Sequence, residues 1–306
     1  MILCCGEALI DMIPQPGGAG FAPHVGGAVL NTAVALGRLG VPVGLVTGLS
    51  SDPFGQLIET ALNDSNVSTA HAVRSDRNTT LAFVHLENGQ ATYSFYDDNT
   101  ATRAISTDDM PTLPEDTEAV FFGGISLCNP PAADSLLDLA LAQPADRLVM
   151  ADPNIRPSFV SDHAGYRARL TALLGRADIV KLSDDDIDWL IEGSASLHDK
   201  GQAVLALGPK LLLLTQGSAG ATVLQRGGNQ VHVAASQVKM VDTVGAGDTF
   251  NAGCMASLRS AGALSPDTLA TLDDATLTNM LTLAARAAAV TVSRAGANPP
   301  WASELE

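Results

Sequence analysis

Two carboxylates flank a run of small residues in Val241-Asp242-Thr243-Val244-Gly245-Ala246-Gly247-Asp248-Thr249-Phe250. Glycine lets a backbone come close to a ligand, and the apolar residues beyond Asp248 predict a helix that opens at this loop. Unpaired amides at a helix start point at negative charge. Asp248 would then face a bound anion, which is unfavourable unless the carboxylate has a task. Accepting a proton from a substrate hydroxyl is such a task. The spacing fits an ordinary helix cap, since Asp caps helices readily. It equally fits phosphoryl transfer, with Asp248 as base and the amides of Gly245, Ala246 and Gly247 as an anion hole.

A helix over 248–261 needs a sheet to position it, and the chain alternates accordingly. Strands are predicted over 119–122, 147–151, 177–181 and 210–215, with helices over 131–142, 163–174, 184–191 and 198–207 between them. Upstream, 1–12 reads as one buried strand ended by Pro14, 15–25 as a loop, 28–39 as a helix stopped by Gly40 and 41–49 as a strand. Asp52 should cap the next helix, with Pro53 in its first turn. Strands over 79–86 and 90–96, joined by Asn88-Gly89, predict a hairpin that is either an edge of the main sheet or a small lid. A second hairpin should span 221–225 and 230–234, and a helix over 276–292 closes the chain. Strands alternating with helices imply a mostly parallel sheet covered on both faces. Ligands bind outside the carboxyl ends of such strands. Gly26-Gly27, Asp152-Pro153-Asn154, Ser183 and Thr215-Gln216-Gly217 all fall there.

The chain of 306 residues is 46% hydrophobic with a formal net charge of −16. That charge argues against nucleic acid or an anionic membrane as a partner. Local amides and arginines can still bind a small anion. No apolar run approaches the roughly 18 residues that span a bilayer, and no leader pattern opens the chain. Cys4, Cys5, Cys128 and Cys254 include no C-x-x-C pair, so buried free thiols in the cytoplasm are expected. The six histidines lack metal-ligand spacing. Neither a Gly-x-Gly-x-x-Gly nor a P-loop is present.

The stretch Asp242 to Phe250 resembles, residue for residue, the C-terminal signature of the PfkB/ribokinase family of carbohydrate kinases. Gly26-Gly27-Ala28-x-x-Asn31-x-Ala33 with Leu36-Gly37-Arg38-Leu39-Gly40 resembles its N-terminal signature, and Asp52-Pro53-Phe54-Gly55 follows in place. Thr215-Gln216-Gly217-Ser218-Ala219-Gly220 resembles the segment over the nucleotide, and Arg294-Ala295-Gly296-Ala297 the turn near a monovalent cation. The resemblance runs from Gly6 to Pro299. Gly6-Glu7-Ala8-Leu9-Ile10-Asp11 and Asp152-Pro153-Asn154-Ile155-Arg156 are most similar to the family's fructokinases.

The resemblance implies a single ribokinase-like three-layer α/β domain over 1–306, with a lid from 79–97 and a contribution from 11–25. It implies ATP as phosphoryl donor, Mg²⁺ and K⁺ as ions, and a small sugar as acceptor, with fructose 6-phosphate as product. Asp248 would be the base, and Asp11, Gly26, Gly27, Asn31 and Arg156 would hold the sugar. Ser183, Thr215, Gly217, Gly220, Gly245 and Gly247 would meet ATP. Asp242, Val244 and Gly296 would hold the monovalent cation. The family's Asn-x-x-Glu near Mg²⁺ is replaced by Ser183-Asp184-Asp185-Asp186. Asp186 keeps a carboxylate on a shorter arm that suits a water-mediated Mg²⁺ contact, and Asp184 is expected as the helix cap. Competing expectations are a 2-keto-3-deoxygluconate or nucleoside kinase and a silent sugar-binding regulator. Asp97 stands where a carboxylate-binding arginine would serve the keto acid, although Arg103 could substitute. The lid's uncovered face predicts a homodimer.

Overall fold

The computed structural model describes residues 1–18, 20–87 and 90–305. Its main sheet has nine strands in the order Gln230–Val233, Ala221–Gln225, Leu211–Thr215, Ile179–Ser183, Leu148–Asp152, Ala119–Gly123, Ile2–Cys5, Val43–Val46, Val67–Ser68. The strands from Leu211–Thr215 to Val67–Ser68 run parallel, and the first two are antiparallel. Strand residues alternate between two cores. Ile2 and Cys4 join one, with helices Ala28–Arg38, Pro53–Asp64, Ala246–Ser260 and Asp274–Val292. Leu3 and Cys5 join the other, with helices Ala132–Leu141, His163–Arg176 and Leu197–Leu207. The three-layer α/β reading holds.

A smaller sheet carries Phe21–Gly26, Leu9–Pro14, Thr80–Glu87 and Gln90–Tyr96, in that order. The predicted turn residues Asn88 and Gly89 lie outside the described residues. Two expectations change here. The strand foreseen over 1–12 divides into Ile2–Cys5 and Leu9–Pro14, in different sheets. The break at Gly6 lets the backbone press against Val29, where a Cβ would lie 2.6 Å from Cγ2. The loop foreseen over 15–25 contains the strand Phe21–Gly26. Pro23 weakens its strand signal, but this is an edge strand, where a missing N–H is tolerated.

The foreseen strand 41–49 likewise divides, and Gly48–Ser50 pairs with Val73–Ser75. Asp52 caps its helix as expected, accepting from Gly55 N at 2.7 Å. The cap before Asp184–Leu190 is Ser183, not Asp184. The membrane expectation also needs correction. By length and composition alone Asp274–Val292 could cross a bilayer. In the fold it packs along Ala246–Ser260, where a Cβ on Gly253 would sit 2.6 Å from the Cα of Ala284. All four cysteines are free and buried.

Candidate active site

Glu7, Gly124 and Asn154 follow the ends of three neighbouring parallel strands. They line one cavity of about 260 Å³ together with the loop before helix Ala246–Ser260. The order in which strands are added to the sheet reverses beside Ile2–Cys5, the place where open α/β sheets leave a crevice.

Gly245 adopts φ 78°, and a Cβ there would stand 2.7 Å from the Cβ of Ala297. Only glycine suits such a left-handed, crowded position. The helix starts at the next residue, so Asp248 falls in its first turn. The N–H groups of Gly245 and Gly247 make no hydrogen bond among the described residues, whereas Ala246 N–H donates to Thr243 O at 3.3 Å. Of the three expected amides, that of Ala246 thus closes the turn on itself, while those of Gly245 and Gly247 stay open. Asp248 is 7% exposed, and its Oδ2 accepts from Asn31 Nδ2 at 2.9 Å. Burial pushes its carboxyl up to about 7, with Asp152 adding to the rise and Asn31 and Lys181 opposing it.

On the opposite wall, burial pushes Asp11 up to about 6. Gly26 leaves room for the Asp11 carboxylate: a Cβ there would lie 2.1 Å from Asp11 Oδ2 and displace it. Gly27 has φ 111° and starts the helix that carries Asn31. Glu7 receives the amides of Ala28 at 3.0 Å and Ser126 at 3.2 Å, and burial raises its pKa despite them. Arg156 lines the cavity from an exposed position, its guanidinium donating to Ile155 O at 3.0 Å. From the small sheet, Tyr93 and Phe95 complete the wall, and Phe95 meets Phe159 at 4.5 Å between ring centroids.

A carbohydrate-sized polar cavity, a buried carboxylate and free amides at a helix start are the parts that phosphoryl transfer needs. Comparison with known proteins agrees. The pfkB family carbohydrate kinase model matches residues 1–304. The chain is 46% identical over 283 residues to a fructokinase of Rhizobium leguminosarum bv. trifolii, covering 91% of this chain and 86% of that one. It is 32% identical over 309 residues to a fructokinase of Escherichia coli, covering 98% and 96%. A crystal structure of Xylella fastidiosa fructokinase with bound ATP superposes with a TM-score of 0.90 at 30% identity, covering 99% and 96%. One of Vibrio cholerae O395 fructokinase, a double mutant with fructose, ADP and potassium ion, gives 0.82 at 26%, covering 97% and 93%. The chain belongs to the pfkB family of carbohydrate kinases.

Of the other expected residues, Val244 lines the cavity and the rest fall outside its lining. Ser183 and Thr215 are partners at the ends of adjacent strands. Gly217 (φ 53°) and Gly220 (φ 104°) shape the next turn, and a Cβ on Gly220 would lie 2.2 Å from Val233 O. Asp186 is 4% exposed; it accepts from Ile155 N at 2.8 Å, Ser183 N at 2.9 Å and Ser183 Oγ at 2.7 Å. Of a carboxylate's roughly four lone-pair directions, one remains. Asp242 joins two turns, accepting from Val244 N at 3.0 Å and Gly296 N at 2.8 Å. Two charged cavity residues were given no role by sequence reasoning, Glu7 and Lys181. Lys181 had a signal, a charge inside the apolar strand Ile179–Ser183.

Proposed function

We propose that this ATP-dependent kinase phosphorylates D-fructose to fructose 6-phosphate, with Asp248 as base. The observation that carries the mechanism is the buried Asp248 carboxylate, held by Asn31 one residue beyond the free Gly247 amide. The sugar hydroxyl oxygen attacks the γ-phosphorus while its proton passes to Asp248. The bond from phosphorus to the ADP oxygen breaks, and its electron pair leaves with ADP. The Gly245 and Gly247 amides oppose charge on the equatorial oxygens. The choice of fructose rests on the relatives' specificity and on Asp97. That carboxylate pairs with Arg103 at 2.6 Å, which keeps the arginine from a sugar acid. Asp11, Gly26, Gly27, Asn31 and Arg156 hold the sugar.

ATP lies along Ser183, Thr215, Gly217 and Gly220 toward the glycine loop. When bound, Mg²⁺ supplies charge neutralisation at the phosphates. Asp186 fits it only through a water on its remaining lone pair. K⁺ suits the oxygens where Asp242, Val244 and Gly296 converge, since Asp242 brings the two turns together. The small sheet, 79–97 with part of 11–25, acts as lid. The buried free thiols favour the cytoplasm.

The test is ATP turnover over fructose, ribose, 2-keto-3-deoxygluconate and adenosine. Fructose is expected to give the highest kcat/KM, and Asp248→Asn to lose at least about 100-fold in kcat while retaining fructose binding. Binding of a sugar with no stimulated ATP turnover in the wild type would sink the kinase reading in favour of a silent regulator.

A further inference from the structure

Beneath the glycine loop lies a charge the steps above leave unused. Lys181 projects from the strand Ile179–Ser183 into the cavity wall, with its side chain 6% exposed. Its Nζ stands 3.1 Å from Asp152 Oδ2. That oxygen also accepts from Asn251 Nδ2 at 2.7 Å, and Asp152 Oδ1 accepts from Asn154 N at 3.1 Å. The carboxylate is thus held from three sides. An ammonium carries three donors, and among the described residues Asp152 is its one ion-pair partner.

The remaining donors face the loop. A Cβ on Gly247 would come 3.2 Å from Lys181 Nζ. Gly247 sits in the first helical turn and is not one of the positive-φ glycines, so its backbone does not require glycine. The missing side chain instead leaves room between the ammonium and whatever the loop amides bind. The electrostatic setting calls for a cation. Glu7, Asp11 and Asp248 line the same cavity, and Asp152 lies behind it. A phosphoryl group entering there meets three carboxylates at close range. Arg156 is exposed at the rim, whereas Lys181 is a buried cation at the loop, where charge acts with little screening.

The geometry points to Lys181 as a further catalytic residue, its ammonium donating to the γ-phosphoryl oxygens from beneath Gly247 as the group passes from ADP to the sugar. Asp152 holds the ammonium in place in the free enzyme. The inference rests on the kinase reading with Asp248 as base.

The experiment is Lys181→Met beside Asp248→Asn, with steady-state kinetics, a fructose-binding isotherm and a pH profile on each preparation. Lys181→Met is expected to lower kcat roughly 100-fold, the scale of a lost transition-state donor. Its fructose Kd should stay within about twofold. A cation that favours the ionised base disappears, so the acid limb of kcat/KM should move to higher pH. The lost charge moves that limb in either case, so the discriminating readout is kcat at saturating pH: a purely structural lysine would lower the melting temperature and leave that kcat within about threefold of wild type. A folded Lys181→Met enzyme with kcat within about threefold of wild type overturns the proposal. Where the single variant does not fold, Lys181→Met with Asp152→Asn removes both charges of the pair. The same loss is expected, and wild-type-like turnover again overturns it. If Asp248→Asn stays active, the base reading fails. If Asp248→Asn is dead while Lys181→Met is not, the lysine inference alone fails.

Discussion

Asp248 has two consequences as a single residue. As a base it must be ionised, so with its carboxyl near 7, kcat/KM should rise with pH through about 7 and level off above it. A flat profile from pH 5 to 8 would contradict the assignment. The same group affects stability with the opposite sign. Its folded pKa exceeds the unfolded value near 3.8, so the native state holds the proton more tightly between those values. Stability from this group is present below pH 4 and lost as pH rises through about 7. Asp248→Asn should therefore melt higher than wild type at pH 8 and lose that advantage at pH 4, read by thermal melts. Asp248 stood out from its place after the glycine loop, whereas Asn31 and Gly26-Gly27 were given a sugar-binding role only through the family resemblance, and the structure pairs Asn31 with Asp248. Glu7 was not legible as a cavity wall. Its burial and its two amide partners come from distant segments, Ala28 and Ser126. Ser183 was misread against Asp184 because adjacent residues both cap well. Only the backbone shows which one starts the helix.

Helices and parallel strands were readable from periodicity, and their observed bounds differ from expectation by a few residues. The small sheet was half readable. Its hairpin strands carry β-branched and aromatic residues, whereas Phe21–Gly26 carries Pro23 and follows a glycine-rich turn. The sheet has two faces of different use. Asp11, Ala82 and Phe95 are register partners facing the cavity. The opposite face presents Phe21, Phe83 and Tyr96, with ring centroids 4.9 and 5.2 Å apart. Tyr96 is 62% exposed. An aromatic cluster left in water favours a partner, and we propose a second copy of this chain. Size-exclusion chromatography with light scattering should give twice the chain mass, and Tyr96→Asp should shift it toward monomer. A monomeric wild type at micromolar concentration would rule the dimer out.

At the scale of the molecule, the proposed base and anion loop lie on the main body, and the cavity wall is shared between that body and the small sheet. Base and anion loop occupy one helix start in the main body, anchored by Asp242 and by Gly253 against Ala284. The small sheet adds Leu9, Asp11, Tyr93 and Phe95 to the cavity wall. One join between the parts is Phe95 of the sheet against Phe159 of the body. Such an aromatic pair contributes about 0.5–1.5 kcal/mol. If the pair parts to admit the sugar and re-forms around it, its energy cancels from the binding equilibrium and persists in the rates. Entry and departure should both slow by about two- to tenfold, so residence lengthens while affinity stays level. Phe159→Ala should speed association and dissociation together in stopped-flow, at unchanged Kd. A changed Kd with one rate constant unmoved would refute this. A sugar that dwells without binding more tightly gives ATP time to arrive, at no cost in the concentration at which the enzyme half-saturates.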